Sequence, residues 1–397
     1  MVANVKATDS QERVLDPGAL ALVAIQGVLI AGSLSFGVFP LLVDGFVRLA
    51  HFDVQSAGLS VTAEMLGQSV GAASGLAIVR RAGSRRVVIA ALVLIIVGNA
   101  LTTAVYSNFR WLLVLRALAG VGCGLTVVCI GLLAATRQAD RNFAIFNTTN
   151  LLGCAALAAV VPLVFRMLGV GGVFAVIAAA TGLCLCMIRL IPDSYLEKAP
   201  HQKNVASSSV TWVQSALTCA MTLAYFVSLS MFWSYAGDIG AGHHMGVEAV
   251  SSAVAQAWLL GGFGGSVAAM LIVKRLPRMF IVVLSAIGGA ATTYAAIFVF
   301  NPVAFYAILT SFVFFWLLLY PIQMGLFSQV DPSGRLAMLA WFVQLIACGI
   351  GPALGGFVLH VSSYGVLGFA CAVGYLMFVG AASMLVPGAK QHPARIS

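Results

Sequence analysis

Long apolar runs alternate along the chain with short polar or Gly/Pro punctuation. Cutting at that punctuation gives twelve apolar segments near 19–43, 55–78, 87–106, 111–136, 143–165, 170–191, 210–236, 249–273, 280–300, 304–328, 336–360 and 366–386. Each is close to the ~20 residues that a helix needs to cross a bilayer. Membrane β-strands would show alternation over ~10 residues, whereas these runs are unbroken, so the segments predict helices. The expected fold class is an all-α polytopic membrane protein with twelve transmembrane helices, and an even count puts both termini on one side.

Composition agrees. Hydrophobic residues make up 61% of the 397 and charged residues 8%, against roughly a quarter charged in soluble domains; mean hydropathy is +1.03. The net charge of +9 is a matter of topology. One set of loops and tails holds Lys6, Arg13, Arg80, Arg81, Arg85, Arg86, Arg137, Arg141, Lys198, Lys203, Lys274, Arg275, Arg278, Arg335, Lys390 and Arg395, and the opposite set only Arg48, Arg110 and Arg166. The positive-inside rule makes both termini cytoplasmic, with the bilayer as partner and no nucleic acid implied. Residues 1–18 are polar and mixed in charge, which reads as a cytoplasmic tail and not a signal peptide. Eight cysteines fall inside apolar runs without metal-ligand spacing and read as small buried side chains.

Sliding the chain against itself by 194 residues brings its halves into register. Arg141 falls on Arg335, Asn150 on Gln344, Gly131 on Gly325, Gly67 on Gly261, Gly71 on Gly265, Arg80-Arg81 on Lys274-Arg275 and Asp44 on Asp238. The domains expected are a tail (1–18), a six-helix bundle (19–191), a cytoplasmic linker (192–209), a second six-helix bundle (210–386) and a tail (387–397). Two such repeats suit alternating access, in which one bundle rocks against the other around a central site.

Several motifs carry a family resemblance over helices 1 to 12. The fourth segment holds an arginine followed by spaced glycines, Arg116, Gly120, Gly122 and Gly124. The loop after the second, LAIVRRAGSRR, matches a basic signature at Arg81, Gly83, Arg85 and Arg86, with Arg80 where the signature has aspartate. The first segment ends in FPLLVDG, with Pro40 and Asp44 as a Pro-x-x-x-Asp ending. The chain resembles the major facilitator superfamily, and within it the bacterial proton-coupled branch of drug and metabolite exporters. That resemblance implies two pseudo-symmetric six-helix bundles, residence in the bacterial inner membrane, no cofactor beyond the proton gradient, and a gating role for these motifs. A Gly-Pro-x-x-Gly-Gly element that exporters carry in helix 5 stands here in helix 11, as Gly351, Pro352, Gly355 and Gly356.

Glu64 and Arg116 are the only ionisable residues placed well inside a span, both in the outer half. A carboxyl and a guanidinium that meet and part in low dielectric can load and unload a proton. A static ion pair and a direct contact with substrate are the other roles open to them. Asp44 and Asp238 lie at outer helix ends, where water and caps suffice. The glycine faces of helices 2 and 4 are read as close packing. Asn147 and Asn150 repeat as Trp341 and Gln344, which the resemblance places near the central cavity. Gln26, Gln68, Gln256 and Gln323 carry amides that are costly facing lipid and so are expected inward. Tyr225 and Trp233, in an aromatic run, are expected to line the substrate cavity, and Trp316, Tyr320 and Gln323 share a face that either lines the cavity or meets lipid. His243-His244 lacks a carboxylate partner at ligand spacing, so no metal site is expected.

The function these residues predict is secondary active transport of a small amphipathic or aromatic solute, with proton-coupled export as the first reading and proton-coupled uptake of an organic acid or metabolite as the second. A monomer is the expected assembly. A membrane sensor would be expected to carry a signalling domain, an intramembrane enzyme a catalytic cluster at membrane depth, and a channel no need of Glu64.

Overall fold

The computed structural model describes residues 17–191, 193, 210–273, 275–331 and 335–385. The N-terminal tail to residue 16, nearly all of the 192–209 linker, Lys274 and the C-terminal tail lie outside the described residues. Among those described there are fourteen α-helices and no β-strand. The first span is built of α1 (Ala19–Gly37) and α2 (Phe39–Arg48), followed by α3 (Val54–Ala82) and α4 (Ser84–Val105). The fourth span is α5 (Phe109–Leu125) and α6 (Val127–Ala134), and α7 (Ala139–Cys186) carries the fifth and sixth. Beyond the linker come α8 (Trp212–Gly242), α9 (Val247–Gln256), a π-helical turn (Ala257–Gly262) and α10 (Phe263–Ile272). The chain closes with α11 (Arg278–Phe298), α12 (Pro302–Val330), α13 (Arg335–Val361) and α14 (Tyr364–Leu385).

Ten helical segments are long and apolar enough to cross a bilayer by length and composition. The 48-residue α7 counts once among them although Gly169, at φ 66°, folds it into two spans. The second span, α3, is not among the ten because it carries Gln55, Glu64 and Gln68, which is tolerable in a helix sheltered between neighbours. The twelve segments read from the sequence are therefore present, with helices running past several of the expected ends. Hydropathy marks the bilayer, whereas caps mark the helix. Asp53, Asn108 and Asn301 each accept a backbone N–H at the start of α3, α5 and α12, and Thr211 with Gln214 forms a capping box on α8. Gly83, at φ 82°, is the single residue between α3 and α4, a left-handed conformation that glycine adopts without a Cβ clash.

Each half is a bundle in which glycine lets the second helix approach the fourth. A Cβ at Gly67 or Gly71 would overlap the Ala117 or Val121 carbonyl, and one at Gly120 or Gly124 the Glu64 or Gln68 carbonyl. In the other half, Gly261 and Gly265 meet the Thr310 and Phe314 carbonyls in the same way. Backbones this close gain dispersion that larger side chains would forbid, which is how apolar helices associate where no hydrophobic effect separates them from lipid.

Between the halves, α2 packs on α8 and α9, α3 along α13, and α7 on α9 and the π-helical turn. Gly58 meets Pro352 and Tyr235, Gly356 meets Gln55, and Gly237 meets Pro40, all toward the end of the molecule that holds α2. Neither α1, α4, α6 nor α10 packs comparably on the opposite half. One end is therefore sealed. Toward the other, where the basic connections lie, Asn147 and Asn150 of α7 and Trp341, Phe342 and Gln344 of α13 are partly open. The connections at the sealed end are short: 49–53, 106–108, Gly169, 243–246, 299–301 and 362–363.

Candidate functional site

Glu64 and Arg116 meet. Arg116 Nη1 lies 3.1 Å from Glu64 Oε2, with both side chains almost fully enclosed by the N-terminal half. The close approach of α3 and α5 at Gly67 and Gly120 brings them together. Arg116 Nη2 donates to Asn99 Oδ1 at 3.0 Å and to Thr102 Oγ1 at 3.4 Å, both on α4. Its guanidinium carbon stands 4.3 Å above the Phe174 ring of α7, a cation–π contact that strengthens when desolvated. Glu64 also hydrogen-bonds Ser35 on α1. Five helices thus converge on one ion pair. Removing either partner would strand the other in hydrocarbon, a loss of about 3–5 kcal/mol.

Ser35 lies just before the point where the first span breaks. Val38 leaves helical geometry, and Pro40 supplies no N–H. Trp233 of α8 and Trp258 of the π-helical turn donate across the seam to the Phe36 and Gly37 carbonyls, at 3.2 and 2.9 Å. With Trp316, 6.1 Å from Trp233 and 5.4 Å from Trp258 between ring centroids, they form an aromatic plug. Tyr235 donates to the Pro352 carbonyl at 2.7 Å and reaches Val54 of the other half at 3.4 Å.

On the open side of the plug lie the amides. Asn150 pairs with Ser33 of α1, and Asn147 Nδ2 donates across the seam to Ser266 Oγ at 3.4 Å. Gln344 reaches Tyr320 and leaves its Oε1 unpaired. Trp341 and Gln68 are half-buried, and Gln26 is buried near the basic end of α1. Gln323 is wholly enclosed with neither amide atom paired.

Two residues expected in the cavity are elsewhere. Gln256 Nε2 donates to Thr310 of α12 at 3.3 Å and lines a lateral cleft with Val303, Tyr306 and Ala307. Tyr225 packs on Tyr375 and Phe378 of α14, with ring centroids 5.6 and 4.9 Å away, inside the C-terminal half. In α8 nearly every residue from Tyr225 onward is buried, so no polar face signals which side meets the seam. Asp44 and Asp238 are likewise not solvated ends. Both are buried where α2 meets α8, Asp44 2.8 Å from Arg48 Nε and Asp238 accepting from the Tyr364 hydroxyl. Of the cysteines, Cys186 is exposed.

The residues of the family motifs are spread over the molecule. Arg85 clamps the Ile191 carbonyl through Nε and Nη2 at 3.0 and 2.9 Å, tying α4 to the end of the sixth span. Arg81 and Arg86 are exposed beside it. A Cβ at Gly122 would press on Ala91 and Ile95 of α4, and one at Gly351 or Gly355 on Ser230, Met231 or Tyr235 of α8. His243 rests on Phe300 and reaches the Ile297 carbonyl at 3.2 Å. Sequence reasoning missed Trp258, Asn99, Thr102 and Phe174. Only the polar pair carried a signal, as an amide and a hydroxyl three residues apart and so on one face of an apolar helix.

Structural likeness follows the same architecture. The D-xylose–proton symporter aligns with a TM-score of 0.69 at 16% identity over 90% of this chain and 97% of that one. The nucleoside transporter NupG aligns at 0.71 and 13% identity, covering 92% and 98%. The inward-open xylose transporter XylE from E. coli aligns at 0.70 and 16%, covering 92% and 94%. None of the curated protein sequences compared with the chain matches significantly. The Major Facilitator Superfamily model matches residues 24–356. Two glycine-zipped bundles, sealed at one end and matched by that model over most of their length, make the chain a member of the major facilitator superfamily, a transporter and not an enzyme.

Proposed function

We propose that the protein is a proton-coupled transporter in a bacterial inner membrane, its termini and basic loops cytoplasmic, exporting a small amphipathic or aromatic solute in exchange for protons. The observation that carries the coupling is the enclosed Glu64–Arg116 pair, which joins α3 and α5 to α1 through Ser35. A carboxyl and a guanidinium that meet and part in a low-dielectric interior can load and unload a proton, which is the role we assign to this pair. Ser35 stands three residues before the break at Val38 in the first span, so a change at Glu64 is passed to that break. The partly open amides of Asn147, Asn150 and Gln344, with the rings of Tyr320, Trp316 and Trp341, suit a ring-bearing solute that both donates and accepts hydrogen bonds.

Uptake with protons is the second reading, favoured by the likeness in fold to a D-xylose–proton symporter. Proteoliposomes carrying a pH-sensitive dye test both. A panel of aromatic acids, amines, antibiotics, sugars and nucleosides is added to wild type and to Glu64→Gln. Solute-dependent proton movement that disappears in Glu64→Gln is the expected result, and its sign separates export from uptake. Solute flux without proton movement, or proton movement indifferent to the substitution, would reduce the pair to a structural one.

A further inference from the structure

The break at Val38 strips two backbone carbonyls of their helical donors at the centre of the seam. Phe36 would be served by residue 40, which is proline, and Gly37 by Leu41, whose N–H turns instead to Val38 at 2.9 Å. Phe36 keeps only the Val38 N–H, shared with Ser35 in the bent cap, and each carbonyl takes an indole donor from the other half. Trp233 and Trp258 are 0% and 4% exposed, their rings edge-on at 5.3 Å, and each indole has a single N–H to give. Phe312 lies parallel to Trp233 at 6.4 Å between ring centroids. The π-helical turn adds a residue to the eighth span where Trp258 sits, a distortion found mostly at functional positions. Where both indoles are this deeply buried, an uncapped carbonyl and an unserved indole are both costly, so the two bonds favour the sealed arrangement.

We propose that Trp233 and Trp258 form a latch that keeps the sealed end shut by capping the Phe36 and Gly37 carbonyls, and that this end opens when water takes both carbonyls. The latch rests on alternating access and is independent of proton coupling. It gives the proline in the first span a part in the closed state, because the break it helps to make leaves carbonyls that lack their own helical donors.

The test places a reporter cysteine at Met65, which is buried and packs on Gly349 across the seam. Labelling by a membrane-impermeant maleimide is followed on right-side-out and inverted membranes, with the chain lacking the reporter as baseline. Trp233→Phe and Trp258→Phe keep a ring and delete the donor, and each is expected to speed labelling from the sealed face about tenfold. Pro40→Ala returns a helical donor to Phe36 and is expected to do the same, adding nothing to Trp233→Phe because both abolish one bond. Phe312→Leu thins the packing without touching a donor and is expected to stay within about twofold of the parent. Donor-deleted variants that label at the parent rate would overturn the latch, as would Phe312→Leu matching them. Should a tryptophan variant fail to elute as a single species in detergent, Pro40→Ala alone decides. Labelling needs neither solute nor proton gradient, so failure of the latch and failure of proton coupling are read separately.

Discussion

The two halves share a scaffold and differ in what they enclose. At the offset of 194 residues, Glu64 corresponds to Trp258, Arg116 to Thr310, Asn99 to Thr293 and Thr102 to Ala296. One half buries a charged centre held by amide and hydroxyl groups. Its counterpart puts an indole in the place of the carboxylate and aims it out of the bundle, at the first span. The glycines that set the approach of second and fourth helices, Gly67 and Gly71 against Gly261 and Gly265, are the same in both. Backbone proximity therefore fixes the architecture, and the residues one turn away are free to take up different work.

The most severe test of this contrast is to delete the charge from one half and its counterpart from the other. Arg116→Leu leaves Glu64 enclosed without a partner and is expected to lower stability by about 3–5 kcal/mol. Thr310→Leu, its counterpart, should cost no more than about 1 kcal/mol, for one hydrogen bond to Gln256. Thermal unfolding in detergent compares them, and equal losses would erase the distinction. Pairing Arg116→Leu with Glu64→Gln should recover much of the deficit, since it is the stranded charge that costs most.

A second experiment probes what the halves have in common. Gly67→Ala and Gly261→Ala each force a methyl group into a backbone carbonyl, and both should destabilise by about 1–3 kcal/mol. A marked inequality would mean that only one bundle depends on close approach. Asn99→Ala removes one acceptor from Arg116 and should cost about 1–2 kcal/mol. The smallest effect belongs to the rim. Arg166 and Glu248 join the halves at 4.0 Å but are 68% and 63% exposed, so Glu248→Ala should shift stability by less than about 0.5 kcal/mol.

Much of this was legible in the chain. Spans were, because twenty apolar residues in a row have few alternatives, and so were the two charges placed inside them; that Glu64 and Arg116 touch was not, because residues 52 apart in the chain carry no mark of their mutual distance. Azimuth was not. A period of 3.6 sorts residues into faces, but a helix buried on all sides, such as α8, offers no contrast between them, and it did not show that Tyr225 packs on Tyr375 and Phe378 of α14. Gln256 stands next to a π-helical turn that shifts the register of its span, which regular spacing cannot foresee. Asp44 and Asp238 sit at helix ends, where solvent is the ordinary surroundings, and are buried because Gly237 lets α8 press onto Pro40. Trp258 had no mark at all: an indole in an apolar segment reads as lipid-facing until the carbonyl it serves is known.

Nearly all of the sealed end is helix tips. Its connections are 49–53, 106–108, Gly169, 243–246, 299–301 and 362–363, none longer than five residues. A protease needs an extended stretch of chain to thread through its cleft, and an antibody needs a patch that stands proud of the lipid headgroups. This face offers almost neither. If it looks outward from the cell, the protein is nearly invisible to both, and a binder raised against it would have to recognise a mosaic of side chains from six separate turns.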